Sequence, residues 1–449
     1  MEKKVFNDAV HGHMEFHPLL IKVIDTPQFQ RLRYIKQLGP CHFVYPSATH
    51  TSFEHSLGTC YLATKLLRAL KTTDVKWFDE KDILLVSLGG LCRNLANAPL
   101  LADFREKFRR DFNMDEKELA VKIFDQIIQE NNLQQEFEKE QFQEKDREFL
   151  RDLILGKKTG EFTDVKFRNR KFLYEIIWNK ESGVDVDRFD YIARDSYHLG
   201  IRSSFDHSRF IQFAKVSEDK DDKNFKISLR EKEAKCIYEL FHTRLQLHER
   251  AYQHKTCKAI ALMMYDALIM ATDNFQLKIK NEEGEIEEVK LGEICQNVDA
   301  FNQFTDEIFS RILYSTDDNL KDAQQLLRRI HQRKLYRCIV EVSDDDKMKE
   351  VDEILTFHLE DKKELLTKYK TIFNFAPDMK NMNPVEKFLF YKKSEPDKPF
   401  KLKKERVSKF LPENFQEIRL RVYYKGVDKE ECREIREKFK ELLGSEYIQ

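Results

Sequence analysis

The 449-residue chain carries 13 Gly and 10 Pro against 35 Phe and 16 Tyr, which excludes a collagen-like or linker-rich polypeptide. A 41% hydrophobic fraction excludes a disordered one. Lys+Arg 78 against Asp+Glu 79 leaves a net charge of −1, so bulk charge names no partner, and 35% charged residues fit a helical protein with solvated outer faces.

The eight cysteines form no C-x-x-C pair and stand mostly in apolar runs, the habit of buried free thiols. The N-terminus MEKKVFNDAVHGH has no hydrophobic signal region, and the longest apolar stretch, 83–91, is too short to span a bilayer. The expectation is a soluble intracellular protein in a reducing compartment, with no membrane partner.

In chain order, the first forty residues read as turns and short helices. Residues 54–70 give a helix with Leu57, Tyr61, Leu62, Leu66 and Leu70 as its apolar stripe. Residues 82–92 (DILLVSLGGLC) are apolar all round, as in a central buried helix. Residues 116–131 form a further helix, and 129–150 read as exposed helix anchored by Phe137, Phe142 and Phe149. Residues 171–178 and 184–199 are helical, 217–223 is a charged loop, and Phe225, Ile227 and Leu229 alternate as in a strand. A long helical tract, 233–273, precedes a hairpin signal at 277–291. A helix over 322–336 leads into a strand at 337–342; Ile418, Leu420, Val422 and Tyr424 mark another strand, and 430–443 closes the chain as an amphipathic helix. The acidic and basic run 344–350 reads as a lobe boundary. The expected architecture is mainly α, a helical core over 1–334 with a smaller α+β lobe over 335–449.

Three polar groups interrupt apolar helices: FEHSLG (53–58), LCRNLAN (91–97) and VDVDRFDYIARD (184–195). A lone His such as His55 is ordinarily a hydrogen-bonded core residue. The acids Asp185, Asp187, Asp190 and Asp195 are different, because Val, Phe and Ile between them do not suit a solvated face. In a helix, 187, 190/191, 194 and 195 fall near one side and predict a functional face.

The segments DTPQFQRLRYIKQLG (25–39), FEHSLG (53–58), FLYEII-N (172–179), VDVDRFDYIARDSYHLGI (184–201), FHTR–LH-RAYQHK (241–255) and ILYSTD-LKDA (312–323) resemble, over almost the whole chain, the catalytic core of the SAM- and HD-domain-containing deoxynucleoside triphosphate triphosphohydrolases. The resemblance implies an HD-domain phosphohydrolase core without the SAM domain that precedes it in the family, and an activity that cleaves dNTP, dGTP included, to deoxynucleoside plus triphosphate. It implies a divalent metal of Fe, Zn or Mg type held by His55, a His-Asp pair and Asp187. Where the pair should stand, this chain has Arg93 and Asn94, and Asn97 takes the place of the next catalytic His. Arg105 and Glu116 occupy the positions of the downstream acid and second catalytic His, and Ser52 that of an Arg.

One fact needs no alignment: no histidine lies between His55 and His198. An HD phosphohydrolase needs a neutral imidazole at the metal and another as an acid–base group. Asn is a weak neutral ligand and Arg a permanent cation that cannot coordinate. Two of four ligands, His55 and Asp187, remain, so metal activation of water is expected to fail.

The resemblance further implies Gln37 and Leu38 at base and sugar, Arg188 (a Lys in the family) and Arg244 at phosphates, and Tyr191, Asp195 and Tyr252 around the sugar. It implies a guanine-nucleotide activator site at Lys4, Val5, Asp25, Gln30 and Arg33. Arg209, Arg230, Lys232, Lys255, Arg333 and Arg337 would hold activator phosphates, with GTP and deoxynucleotides assembling a dimer or tetramer. Cys236 replaces a family Asn beside them. The family places such a protein in the nucleus, with the cytoplasm as the alternative. The leading expectation is a catalytically dead or severely impaired, regulatory nucleotide-binding member. The alternatives are an active metal-dependent dNTP triphosphohydrolase and a single-stranded nucleic-acid binder using the basic stretch 392–409.

Overall fold

The computed structural model describes residues 3–71, 78–157, 170–221, 223–280, 284–374, 382–407 and 413–449. It is mainly α, with four small sheets of two to four strands among the described residues.

Two helices form the centre. Ser52–Lys71 turns Leu57, Leu62, Leu66 and Leu70 inward. Glu80–Cys92 is buried on every side from Asp82 onward, as its uniformly apolar sequence predicts. Its start is fixed by a reciprocal capping box between Asp79 and Asp82. Val186–Leu199 crosses the Ser52–Lys71 helix; Asp185 caps its N-terminus and Gly200, at φ +64°, ends it. That crossing is close because of Gly58: a Cβ there would fall 1.7 Å from Asp190 Oδ1.

The N-terminal forty residues differ from expectation. They open with an antiparallel hairpin, β1 (Lys4–Asp8) and β2 (Gly12–Phe16), paired from Lys4↔Phe16 to Asp8↔Gly12. Five residues per strand give too short an alternation to stand out in the sequence. Residues 129–150 are not one exposed helix but the end of Glu116–Glu130 followed by Gln134–Lys139 and Glu144–Leu155; Phe137, Phe142 and Phe149 are buried anchors as expected. The tract 233–273 is broken: Ala234–Leu247 passes through a π-helical turn, His248–Tyr252, before Lys255–Met270. Such a bulge re-aims side chains, here Tyr252.

β3 (Ala214–Glu218) and β4 (Phe225–Arg230) pair antiparallel, so Ser217 belongs to a strand and the charged turn begins after Glu218. β5 (Gln276–Lys280) and β6 (Ile286–Lys290) form the expected hairpin; residues 281–283 lie outside the described residues. β7 (Arg337–Val342) and β8 (Leu366–Asn374) flank β11 (Gln416–Tyr424) in an antiparallel sheet, and β9 (Leu389–Lys392) and β10 (Glu395–Lys401) form a hairpin whose first strand runs parallel to β4.

A second apolar cluster, from Ile339 to Leu443, lies wholly within the α+β lobe expected over 335–449. Val385, Phe388, Phe390 and Leu402 from the same stretch pack instead into the main core. One expectation is corrected here. The run 344–350 is no boundary, because Asp344 caps the helix Asp345–Glu353, which buries Met348 and Val351 in the lobe. In the basic stretch 392–409, of which 408 and 409 lie outside the described residues, Lys398 pairs with Glu395, Lys401 with Asp221 and Arg406 with Glu231.

Candidate functional site

His55 sits in the first turn of the Ser52–Lys71 helix, buried against Val186–Leu199. Its Nδ1 lies 2.8 Å from Asp190 Oδ2 and its Nε2 3.2 Å from Asp187 Oδ1. Burial opposes the imidazolium, but the Asp187 and Asp190 carboxylates outweigh it and push the imidazole up to about 9. His55 is therefore held as a cation between two carboxylates.

Arg93 follows the last residue of Glu80–Cys92 and turns inward. Its Nε lies 3.4 Å from Asp187 Oδ1, the same oxygen that faces His55. Its Nη1 donates to the Ile177 carbonyl, and its guanidinium stacks 4.4 Å from the Trp178 ring. Burial raises the Asp187 carboxyl, yet Arg93 and then His55 hold it well below the ordinary carboxylate range. Asn94 is the next residue, and its Nδ2 is buried with no hydrogen-bond partner among the described residues.

The other altered positions touch one another. Asn97 Nδ2 donates to Ser52 Oγ at 3.0 Å, and Ser52 Oγ donates to Gln37 Oε1 at 3.0 Å. Arg105 and Glu116 form an ion pair at 2.7 Å. The loop carrying Arg93 to Asn97 is anchored by Arg31, buried to 4% exposure, which donates to the carbonyls of Leu95, Asn97, Phe301 and Phe304.

These groups border a cavity of about 600 Å³. Gln37, Ser52, His55, Arg93, Asn94, Asn97, Asp187, Arg188, Tyr191 and Arg244 line it, together with Lys117 and Trp178. Arg188 pairs with Asp185, and Arg244 Nη1 donates to the Asn374 carbonyl at 2.5 Å.

Three comparisons of this chain with curated relatives bear on the site. It is 40% identical over 450 residues to the deoxynucleoside triphosphate triphosphohydrolase SAMHD1 of Bos taurus, covering 95% of this chain and 75% of that protein. It is 38% identical to the Homo sapiens protein of the same name, covering 97% and 72%, and 32% identical to the Dictyostelium discoideum homolog, covering 98% and 80%. The chain belongs to the SAMHD1 family of HD-domain deoxynucleoside triphosphate triphosphohydrolases. No protein-family model matches it.

That family is metal-dependent, but the residues here do not fit a metal. Among the described residues no group of three or more His, Cys, Asp or Glu could hold one. Of the implied ligands, His55 is tied up at both nitrogens and Asp187 faces a guanidinium.

The expected functional face of the helix 186–199 divides in three. Asp187 and Tyr191 face the cavity. Asp190 and Arg194 face the hairpin: Asp190 Oδ1 lies 2.7 Å from His11 Nε2, and Arg194 bonds both Asp190 and Asp8. Asp195 turns to His50 Nε2, 2.7 Å away, and accepts from the Tyr252 hydroxyl. Side-chain direction splits residues that share one broad arc. Leu38, Asp195 and Tyr252 are not among the residues lining the cavity.

The positions expected for the family's activator site lie in surface groups. Lys4 pairs with Asp25 at 3.5 Å beside exposed Val5; Gln30 accepts from Arg33, which stacks on Phe53. Arg209 and Arg230 both approach Phe213, Arg209 forks onto Glu233, and Lys232 lies in the turn Glu231–Glu233. Arg333 donates to the Phe43 carbonyl, Lys255 to Gln449, and Arg337 lies in β7 opposite Tyr424. Cys236 is buried.

Sequence reasoning missed Trp178, Lys117, His11 and Arg31. Arg31 stood inside a segment already matched to the family, and Trp178 is the one unmatched position of FLYEII-N. His11 gave no signal, because only the hairpin brings it to Asp190.

Proposed function

We propose that this chain is a non-hydrolysing member of its family that retains nucleotide binding. One observation carries the reading: Arg93, at the position of the family's metal-binding His, places a cation on Asp187. A guanidinium cannot coordinate a metal or polarise a water into hydroxide. Asn97 and Ser52 hydrogen-bond to each other where the family is expected to carry an acid–base His and an Arg, so no proton carrier stands at the cavity wall there.

In this reading the cavity takes a deoxynucleotide, with Arg188, Arg244, Tyr191 and Gln37 around it. GTP and deoxynucleotides bound at the surface positions promote a dimer or tetramer, and the role is regulatory, in the nucleus or cytoplasm. Metal analysis of the purified protein beside a triphosphate-release assay on the four dNTPs tests it. The expected result is no stoichiometric metal and no turnover. Turnover abolished by Asp187→Ala would overturn it. Nucleotide retention is tested separately by sedimentation: a gain in mass with GTP plus dNTP is expected, and an unchanged mass refutes the assembly.

The family name alone supports the alternative of an active enzyme, and the same assay decides it. The pairing of Lys398, Lys401 and Arg406 within the fold counts against the reading as a single-stranded nucleic-acid binder.

A further inference from the structure

The cavity gathers positive charge: Lys36, Arg93, Arg105, Lys157 and Arg188 have carboxylate partners, but Arg109, Lys117 and Arg244 have none within 4.0 Å among the described residues. Eight basic side chains line it against four carboxylates, Asp103, Asp115, Glu116 and Asp187. Two of the cations are held against a single indole: Arg93 lies 4.4 Å and Lys117 4.2 Å from the Trp178 ring. Like charges brought together on one ring repel, and the Lys117 ammonium is lowered from its ordinary range by burial first, then by Lys180 and Arg93. A pair of cations facing a hollow of about 600 Å³ is arranged for an anion.

Arg188 and Tyr191, three residues apart on the helix Val186–Leu199, and Arg244 on Ala234–Leu247 line the same cavity. A triphosphate entering a metal-using site brings a divalent ion that neutralises part of its charge. Here the described residues offer no ligand set for that ion, and a protein guanidinium already stands on Asp187.

We infer that this cavity binds a nucleoside triphosphate as the free polyanion, without a divalent cation, with Arg93 and Lys117 on Trp178 supplying charge that a metal supplies elsewhere. The inference rests on the nucleotide-binding reading and deepens it. Arg93 keeps its bond to Asp187 through Nε and to Ile177 through Nη1, and its Nη2 has no partner among the described residues. Lys117 stands on the helix Glu116–Glu130, 4.2 Å from the centre of the same ring. The Trp178 indole holds both heads in place, so little side-chain freedom is left to lose on binding.

The test is calorimetric titration of the full chain with dGTP and with inorganic triphosphate, each in EDTA and in excess Mg²⁺. Both probes are expected to bind in EDTA at least as tightly as in Mg²⁺, because chelation by Mg²⁺ competes with the cavity for the phosphates. Lys117→Gln should weaken both probes about tenfold in EDTA, the loss of one charge-assisted contact, with thermal stability unchanged. Arg93→Lys keeps one charge but loses the stack and should weaken them as well. Binding that appears only with Mg²⁺ overturns metal independence and leaves nucleotide binding standing. No binding in either buffer overturns both readings. Equal affinity of Lys117→Gln and the parent removes the indole-held pair from the account.

Discussion

Replacing Arg93 by alanine removes three things at once: the pair with Asp187 at 3.4 Å, the bond to the Ile177 carbonyl, and the stack on Trp178. Stripping the partner from a fully buried charge costs about 3–5 kcal/mol. Asp187 is not in that position, because its side chain is 14% exposed to the cavity and it keeps His55 at 3.2 Å. The bond to Ile177 contributes about 1.5–3 kcal/mol as a charged hydrogen bond, partly recovered when water enters the cavity. The stack adds about 0.5–1 kcal/mol. The expected loss for Arg93→Ala is therefore about 2–3 kcal/mol, below the fully buried limit. The part that belongs to the ion pair is isolated by a cycle of Arg93→Ala, Asp187→Asn and the double variant, followed by urea unfolding with circular dichroism. A coupling of about 1–2 kcal/mol is expected between residues in contact. Single effects that add to within about 0.3–0.5 kcal/mol, or an Arg93→Ala protein as stable as the parent, refute the cation-for-metal account.

Gly58→Ala should destabilise by about 3 kcal/mol or more, since its Cβ would fall 1.7 Å from Asp190 Oδ1 and 2.7 Å from Arg194 Nη2; unchanged thermal unfolding would show that the helices can part freely. Stability should fall on the alkaline side. With His55 raised from about 6.5 to about 9 in the fold, its contribution is complete below about pH 6.5 and is lost as pH rises through about 9. His55→Gln should flatten that decline in unfolding measured against pH, and a decline of the same steepness would assign it elsewhere. Restoring Arg93→His together with Asn94→Asp should return metal binding, measured by elemental analysis, with little triphosphate release because Asn97 still lacks an imidazole; full turnover would show that position 97 is dispensable.

The sequence by itself determined the central helices, because their apolar spacing and caps are local facts: Asp79 and Asp82 start one, Gly200 ends another, and Gly89-Gly90 announce a helix packed on all sides. It also determined that no imidazole can come from 56–197, since a gap without histidine there is a property of the chain alone. It did not show the N-terminal hairpin, whose five-residue strands alternate too briefly to stand out, the break at His248–Tyr252, or the pairing of β9 with β4, a partner distant in sequence. Nor did it show where the acids of 185–195 point. Spacing places them on one arc of a helix, but Asp187 finds Arg93, Asp190 finds His11 and Arg194, and Asp195 finds His50. Only the tertiary structure decided that division, because a charge buried away from water goes wherever the fold supplies its counter-charge.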